Sequence, residues 1–253
     1  MTQISSCNTN FWSQFDIYCI NLLSRQDRFD HMTMLFARLG IKATIIRVKK
    51  HLNPKIGIIE SNMQIFDLHI AKNSQKHLLI FEDDVIVSKS PNLNQMTQFL
   101  SSDIKWDVLR LGMNKGLFID ETPYAYHAIA LGNHAVLYNC DFVIKFKQHL
   151  QCHTSHIDHQ ISHCSSYTYV LKDLLFYQSD FPSDNNWNSK SQIHFQNSPI
   201  EYQFIHFQLA IKLLPLLKEL SLSSLNNFVQ LWFNATKPQD SITNPIYLVN
   251  RLY

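Results

Sequence analysis

Glycine is scarce in this chain, with five in 253 residues. Backbone loops that wrap a phosphate need glycines close together, and neither G-x-G-x-x-G nor a Walker sequence is present. A nucleotide bound here must be held by side chains and a metal. Cysteine is sparse too. Cys7, Cys19, Cys140, Cys152 and Cys164 are scattered and odd in number, which predicts reduced thiols and a cytoplasmic setting rather than a disulfide framework. The first residues show neither the basic segment nor the apolar core of a secretory signal, so none is expected. No run of about 18 uncharged apolar residues occurs, so no transmembrane helix is expected either. A net charge of only +2 gives no reason to expect nucleic acid as a partner.

What is present reads as a globular α/β chain. Hydrophobic residues make up 45%, enough for a sizeable core. Residues 15 to 23 (FDIYCINLL) form a continuous apolar run, as expected of a parallel strand covered on both faces. Ser24 is placed to cap a helix, with Phe29, Met32, Phe36 and Leu39 at helical spacing and Gly40 at its end. A second strand is predicted over 41 to 48. A second helix follows from Ile59, Met63, Phe66 and Ile70, and a third strand over 77 to 81 runs into Glu82-Asp83-Asp84. This alternation predicts a doubly wound, mostly parallel sheet, in which ligands bind at the carboxyl ends of strands.

Beyond the triplet, the pattern predicts a helix near 92 to 101 and a strand over 106 to 112. Two β-rich stretches lie near 125 to 139, and a helix near 140 to 150. Residues 151 to 198 are polar, with short strands at 167 to 171 and 174 to 177, and read as loops over a site. From about 200 the pattern is helical, with Pro215 interrupting. The expected division is a nucleotide-sugar-binding domain over 1 to 198 and a helical extension over 199 to 253.

The acidic triplet carries the candidate chemistry. When a sugar nucleotide reacts, its diphosphate leaves and builds negative charge. A divalent cation on hard carboxylate oxygens neutralises that charge, which suits Mn2+ or Mg2+. The competing reading is a solvated turn after a strand. A second cluster, Arg25 and Arg28 after the first strand, stands at a helix start that favours anions, or is ordinary surface charge.

Several motifs, in order, resemble glycosyltransferase family 25, the group of lipooligosaccharide and collagen galactosyltransferases. Ile20-Asn21-Leu22-Leu23-Ser24-Arg25-Gln26-Asp27-Arg28 is similar to its opening "I-N-L-x-x-R-x-D-R". Gly57 to Asn62 resembles its "G-C-x-x-S-H", with Asn62 in place of His. Phe81 to Val85 resembles the strand ending "E-D-D-V", and Trp106 to Gly112 resembles "W-D-x-x-x-L-G". Ala125-Tyr126, Ile157-Asp158-His159 and Gln178 to Asp184 complete the likeness, which covers about residues 15 to 187.

The resemblance implies a GT-A type, Rossmann-like fold and a UDP-sugar donor. It also implies inverting transfer of a hexose, galactose or glucose, to a glycan or glycolipid acceptor, as in lipopolysaccharide biosynthesis. On that reading Asn21, Arg25, Arg28, Glu82 and Asp83 lie at the donor, and Glu82, Asp84 and His194 hold the metal. Asp158 is the general base, with Asp184 its rival, and Ser183 and Asp184 contact the acceptor. A non-catalytic relative that keeps the fold as a binding module is the alternative.

Two further features carry weaker expectations. His156, His159 and His163 would share a helix face, as zinc ligands do, but their spacing matches no common zinc module. In the tail, Phe204, Phe207, Ile211 and Leu214 recur at helical spacing, as do Leu222, Leu225, Phe228 (or Val229) and Trp232. Packing on the main domain is expected for these stripes, with a homodimer or peripheral membrane docking as the other uses. Lys212 and Lys218 are too few for a basic membrane-facing surface.

Overall fold

The computed structural model describes residues 11–150, 156–179, 181 and 199–235. Strand β1 (Phe15–Leu22) pairs in parallel with β2 (Thr44–Val48) on one side and β3 (His77–Glu82) on the other. The connections are helix α1 (Gln26–Leu39) and helix α2 (Pro54–Ala71). Successive side chains on a strand face opposite sides. Ile17 and Cys19 of β1 join Leu79 and Phe81 of β3 in one core, where α1 adds Met32, Leu35, Phe36 and Leu39. Tyr18 of β1 joins Leu78 and Ile80 in the other core, where α2 adds Ile59, Ile65 and Phe66. The predicted α/β fold is thus present, with helices on both faces of a sheet.

The rest of the sheet departs from parallel order. β4 (Val85–Val87) leaves the main sheet, and helix α3 (Leu93–Leu100) leads to β5 (Val108–Arg110). Then come β6 (Lys115–Glu121), β7 (Ala125–Leu131), β8 (Ala135–Tyr138), helix α4 (Cys140–His149), helix α5 (Ile157–Cys164) and β9 (Thr168–Leu171). The eight-stranded order is β2-β1-β3-β8-β5-β9-β7-β6. β8 is antiparallel to both β3 and β5, β7 is antiparallel to β9 and β6, and β5 with β9 is parallel. The sheet is therefore mixed, with its parallel half at the β1–β3 end. β10 (Phe176–Gln178) pairs antiparallel with β4 as a separate ribbon and brings Gln178 opposite Val85.

Several local expectations shift. Helix α1 is capped by Arg25 rather than Ser24, with no side-chain cap bond, while Gly40 ends it at φ 66°. β6 was not foreseen. The segment from 156 onward contributes α5, whose Ile157 and Ile161 are buried in the second core, so this part is more than loop.

The tail forms α6 (Pro199–Lys218) and α7 (Leu222–Ala235). α6 continues through Pro215, although proline cannot donate the intrahelical bond. Phe207, Ala210 and Leu214 of α6 pack on Met113, Phe118 and Tyr126. Leu213, Leu217, Phe228 and Trp232 pack on Leu117 and Leu131. Phe204, expected in the same stripe, is 54% exposed, because Gln203 holds the inward position at 1%. No described helix is long and apolar enough to cross a membrane.

Candidate functional site

The triplet stands where β3 ends, with β1 beside it in the sheet. Glu82, Asp83 and Asp84 all line one cleft of about 170 Å3. Its other walls come from the ends of β1 (Ile20, Leu22) and β2 (Val48), the loop from Lys49, the first turns of α2, and Gln178 with Phe181. The carboxyl ends of three adjacent parallel strands therefore open into the same space, the place where open α/β sheets bind ligands.

The three acids have different surroundings. Asp83 is buried and held twice: Asn21 Nδ2 donates to its Oδ2 at 2.7 Å, and Arg28 Nη1 to its Oδ1 at 2.7 Å. Asn21 is itself fully buried and accepts from Arg47 Nε at 3.2 Å. Asn21 therefore aims Asp83 rather than facing the cleft. Asp84 accepts from Gln178 Nε2 at 3.1 Å and stands 3.4 Å from Arg28 Nη1, both through Oδ2. Its Oδ1 is buried with no hydrogen-bond partner. Burial holds Asp84 above the ordinary carboxylate range, although Arg28 and Gln178 oppose this. Glu82 is half-buried, and its side chain makes no hydrogen bond among the described residues. Burial, helped by Asp84, Asp158 and Asp83, pushes it up to about 8, with Arg28 acting the other way.

These surroundings bear on a metal. A buried carboxylate oxygen without a partner is costly, and an unpaired Glu82 beside it supplies a second hard donor. Such a pair suits Mg2+ or Mn2+, which commonly take one or two carboxylates and complete their shell with water and substrate phosphates. Among the described residues no three His, Cys, Asp or Glu side chains are grouped for a metal, so further ligands would come from elsewhere. His194, Ser183 and Asp184 lie outside the described residues. The three-histidine zinc idea finds no support among the described residues.

Arg25 is not among the cleft-lining residues. It pairs bidentately with Asp27 at 2.7 and 2.9 Å. Arg25 and Arg28 also lie 6.0 and 5.5 Å from the Phe181 ring centre, and His31 meets that ring edge-on at 5.2 Å. Phe181 thereby covers the arginine side of the triplet. Asn62, which replaces the family histidine, lies outside the cleft lining and donates to Ile58 O of its own helix at 2.8 Å.

Asp158 sits in the first turn of α5, after the helix cap His156. Its Oδ2 accepts from Gly132 N at 3.3 Å and its Oδ1 from His159 N at 3.1 Å. It does not line the cleft, but it is near enough to Glu82 to raise that group's proton affinity.

Three supporting residues were missed in the sequence. Arg110, fully buried, donates to Gly132 O and to Asn133 Oδ1, so Arg110 and Asp158 grip the same Gly132 backbone. A lone arginine inside the apolar run of β5 was the available signal. Gln178 binds Asp84, and Gln203 binds both backbone groups of Gln178 at 2.9 and 3.0 Å. Gln178 falls within the last motif of the resemblance, whereas nothing in the local sequence marks Gln203.

No protein-family model matches the chain, and no curated protein matches it. Among solved structures, it is similar to "A197 from STIV" at 12% identity and a TM-score of 0.38, over 64% of this chain and 85% of that one. It is also similar to a glycosyltransferase involved in the glycosylation of the major capsid of PBCV-1. That likeness has 10% identity and a TM-score of 0.41, over 76% of this chain and 99% of that one. At such low identity and overlap, neither likeness bears on what this chain binds or does.

Proposed function

We propose that the chain is a GT-A type glycosyltransferase. It moves a hexose, galactose or glucose, from a UDP donor to a hydroxyl of a glycan or glycolipid acceptor, with inversion. One observation carries the reading. Glu82 and Asp84 line a cleft at the carboxyl ends of the parallel strands β1, β2 and β3; the Glu82 carboxylate makes no hydrogen bond among the described residues, and Asp84 Oδ1 is buried without a partner. The resemblance to family 25 supplies the sugar and the stereochemistry.

Glu82 and Asp84 would hold Mn2+ or Mg2+, whose charge would offset that of the departing diphosphate. Asp83, clamped by Asn21 and Arg28, keeps the triplet in place. The acceptor hydroxyl forms its bond to the anomeric carbon as the bond from that carbon to the diphosphate oxygen breaks. The bonding pair leaves with UDP, and the hydroxyl proton passes to a carboxylate, for which Asp158 is our candidate although it lies near Glu82 and outside the cleft lining. Gly132 N–H fixes one Asp158 oxygen and leaves it further capacity to accept.

Arg28 against both Asp83 and Asp84 favours a second reading, a binding module in which the guanidinium replaces the cation. The test is release of UDP from UDP-galactose and UDP-glucose with and without Mn2+. Wild type should turn over only with the metal, EDTA should abolish turnover, and Asp84→Asn should lower it by at least about 100-fold, the scale of losing a transition-state charge contact. UDP release unaffected by both changes would falsify the metal role. Donor binding without metal and without turnover would favour the binding module.

A further inference from the structure

The same cleft has a basic wall. Lys49 and Lys50 follow β2 directly, and both line the cleft with His51. Among the described residues, neither lysine has an ion pair or hydrogen bond. The chain then enters α2 at the cap Asn53, whose side chain accepts from Lys55 N at 3.1 Å. Pro54 opens the helix, and no acid stands in its first turn, so the positive end of the helix is left without a carboxylate. Gly57 lets the loop lie flush on α2, since a Cβ there would fall 2.8 Å from His51 Cβ.

β1 lies between β2 and β3. At about 4.8 Å per strand, the basic loop and the acidic triplet are therefore separated by roughly 10 Å along the sheet edge. Lysines and carboxylates share the cleft at that spacing without pairing with each other. On the acidic side, Asp84 Oδ1 remains buried and unpartnered. A ligand that satisfies both walls carries anionic charge toward the lysines and takes a cation toward the carboxylates. A nucleoside diphosphate chelating a divalent metal has this form, whereas a monophosphate has charge for one wall only.

We propose that Lys49 and Lys50, with the first turn of α2, form an anion subsite that selects nucleoside-diphosphate donors over monophosphate donors. The proposal rests on the cleft being the nucleotide-sugar site. It is tested by calorimetric titration of the full chain with UDP and with UMP, each in the presence of Mn2+. Wild type should prefer UDP by about tenfold or more, and the double variant Lys49→Gln/Lys50→Gln should bind the two within about threefold of each other. Both lysines are exposed, so the variant is expected to keep the wild-type melting temperature. Gly57→Ala, which leaves both charges but displaces the loop, should weaken UDP more than UMP. An unchanged UDP preference in the double variant overturns the subsite and leaves the cleft's role standing. Wild type that binds neither nucleotide overturns both.

Discussion

Arg28 is 6% exposed and its Nη1 lies 2.7 Å from Asp83. A buried pair of this kind adds little net stability, but removing one partner leaves an uncompensated charge. Arg28→Met should therefore destabilise the fold by about 3–5 kcal/mol, read as a lower urea midpoint, whereas Arg25→Met should cost less, because its ion-pair partner Asp27 is exposed. Equal losses in the two variants would contradict the assignment of Arg28 to the site's framework. His134 supplies a pH effect. Burial, with Arg110 adding, holds it down to about 4 from an ordinary 6.5, the Phe176 carbonyl offsetting part. The folded chain thus binds fewer protons than the unfolded chain between these values. Its contribution is complete above about 6.5 and is lost as pH falls towards 4, a total of roughly 3 kcal/mol by linkage. The difference in stability between wild type and His134→Gln should vary across that window and be flat above it.

At the scale of elements, the site depends on pieces that arrive late in the chain. β10 sits against β4, immediately after the triplet, and its Gln178 reaches Asp84. α6 then fixes β10 through Gln203. Gln203→Leu keeps the size and helical propensity of the side chain but strips two buried hydrogen bonds, a cost of about 1–3 kcal/mol for the groups left unpaired. UDP affinity with Mn2+ should fall in this variant while Phe204→Ala, on the exposed face of the same helix, leaves it unchanged. The sequence shows some of these elements and hides others for physical reasons. β1, α1, β2, α2 and β3 were legible because each has a local apolar period and short connections. β6 (KGLFIDE) was not, because Gly116 and its charged ends obscure the alternation and its burial comes from α6, about 100 residues later. Periodicity places Phe204 inward because it marks apolar residues, whereas the inward position belongs to a glutamine held by its backbone partner.

For the whole molecule, the order of the strands was beyond local reading. Apolar runs show that a strand is covered on both faces but not which neighbours it has or their direction, so the antiparallel insertion of β8 between β3 and β5 could not be foreseen. The triplet and its place at the end of β3 were readable, while Arg110, Gln178 and Gln203 act only through contacts made on folding. The last of these links has a thermodynamic meaning. Gln203 lies 25 residues beyond the backbone it grips, so the free energy with which the tail seats itself is included in whatever affinity Asp84 displays. Such coupling is symmetrical: a ligand that steadies the carboxylate also fastens the C-terminal helices, and a partner that clasped those helices would retune the cleft without touching it.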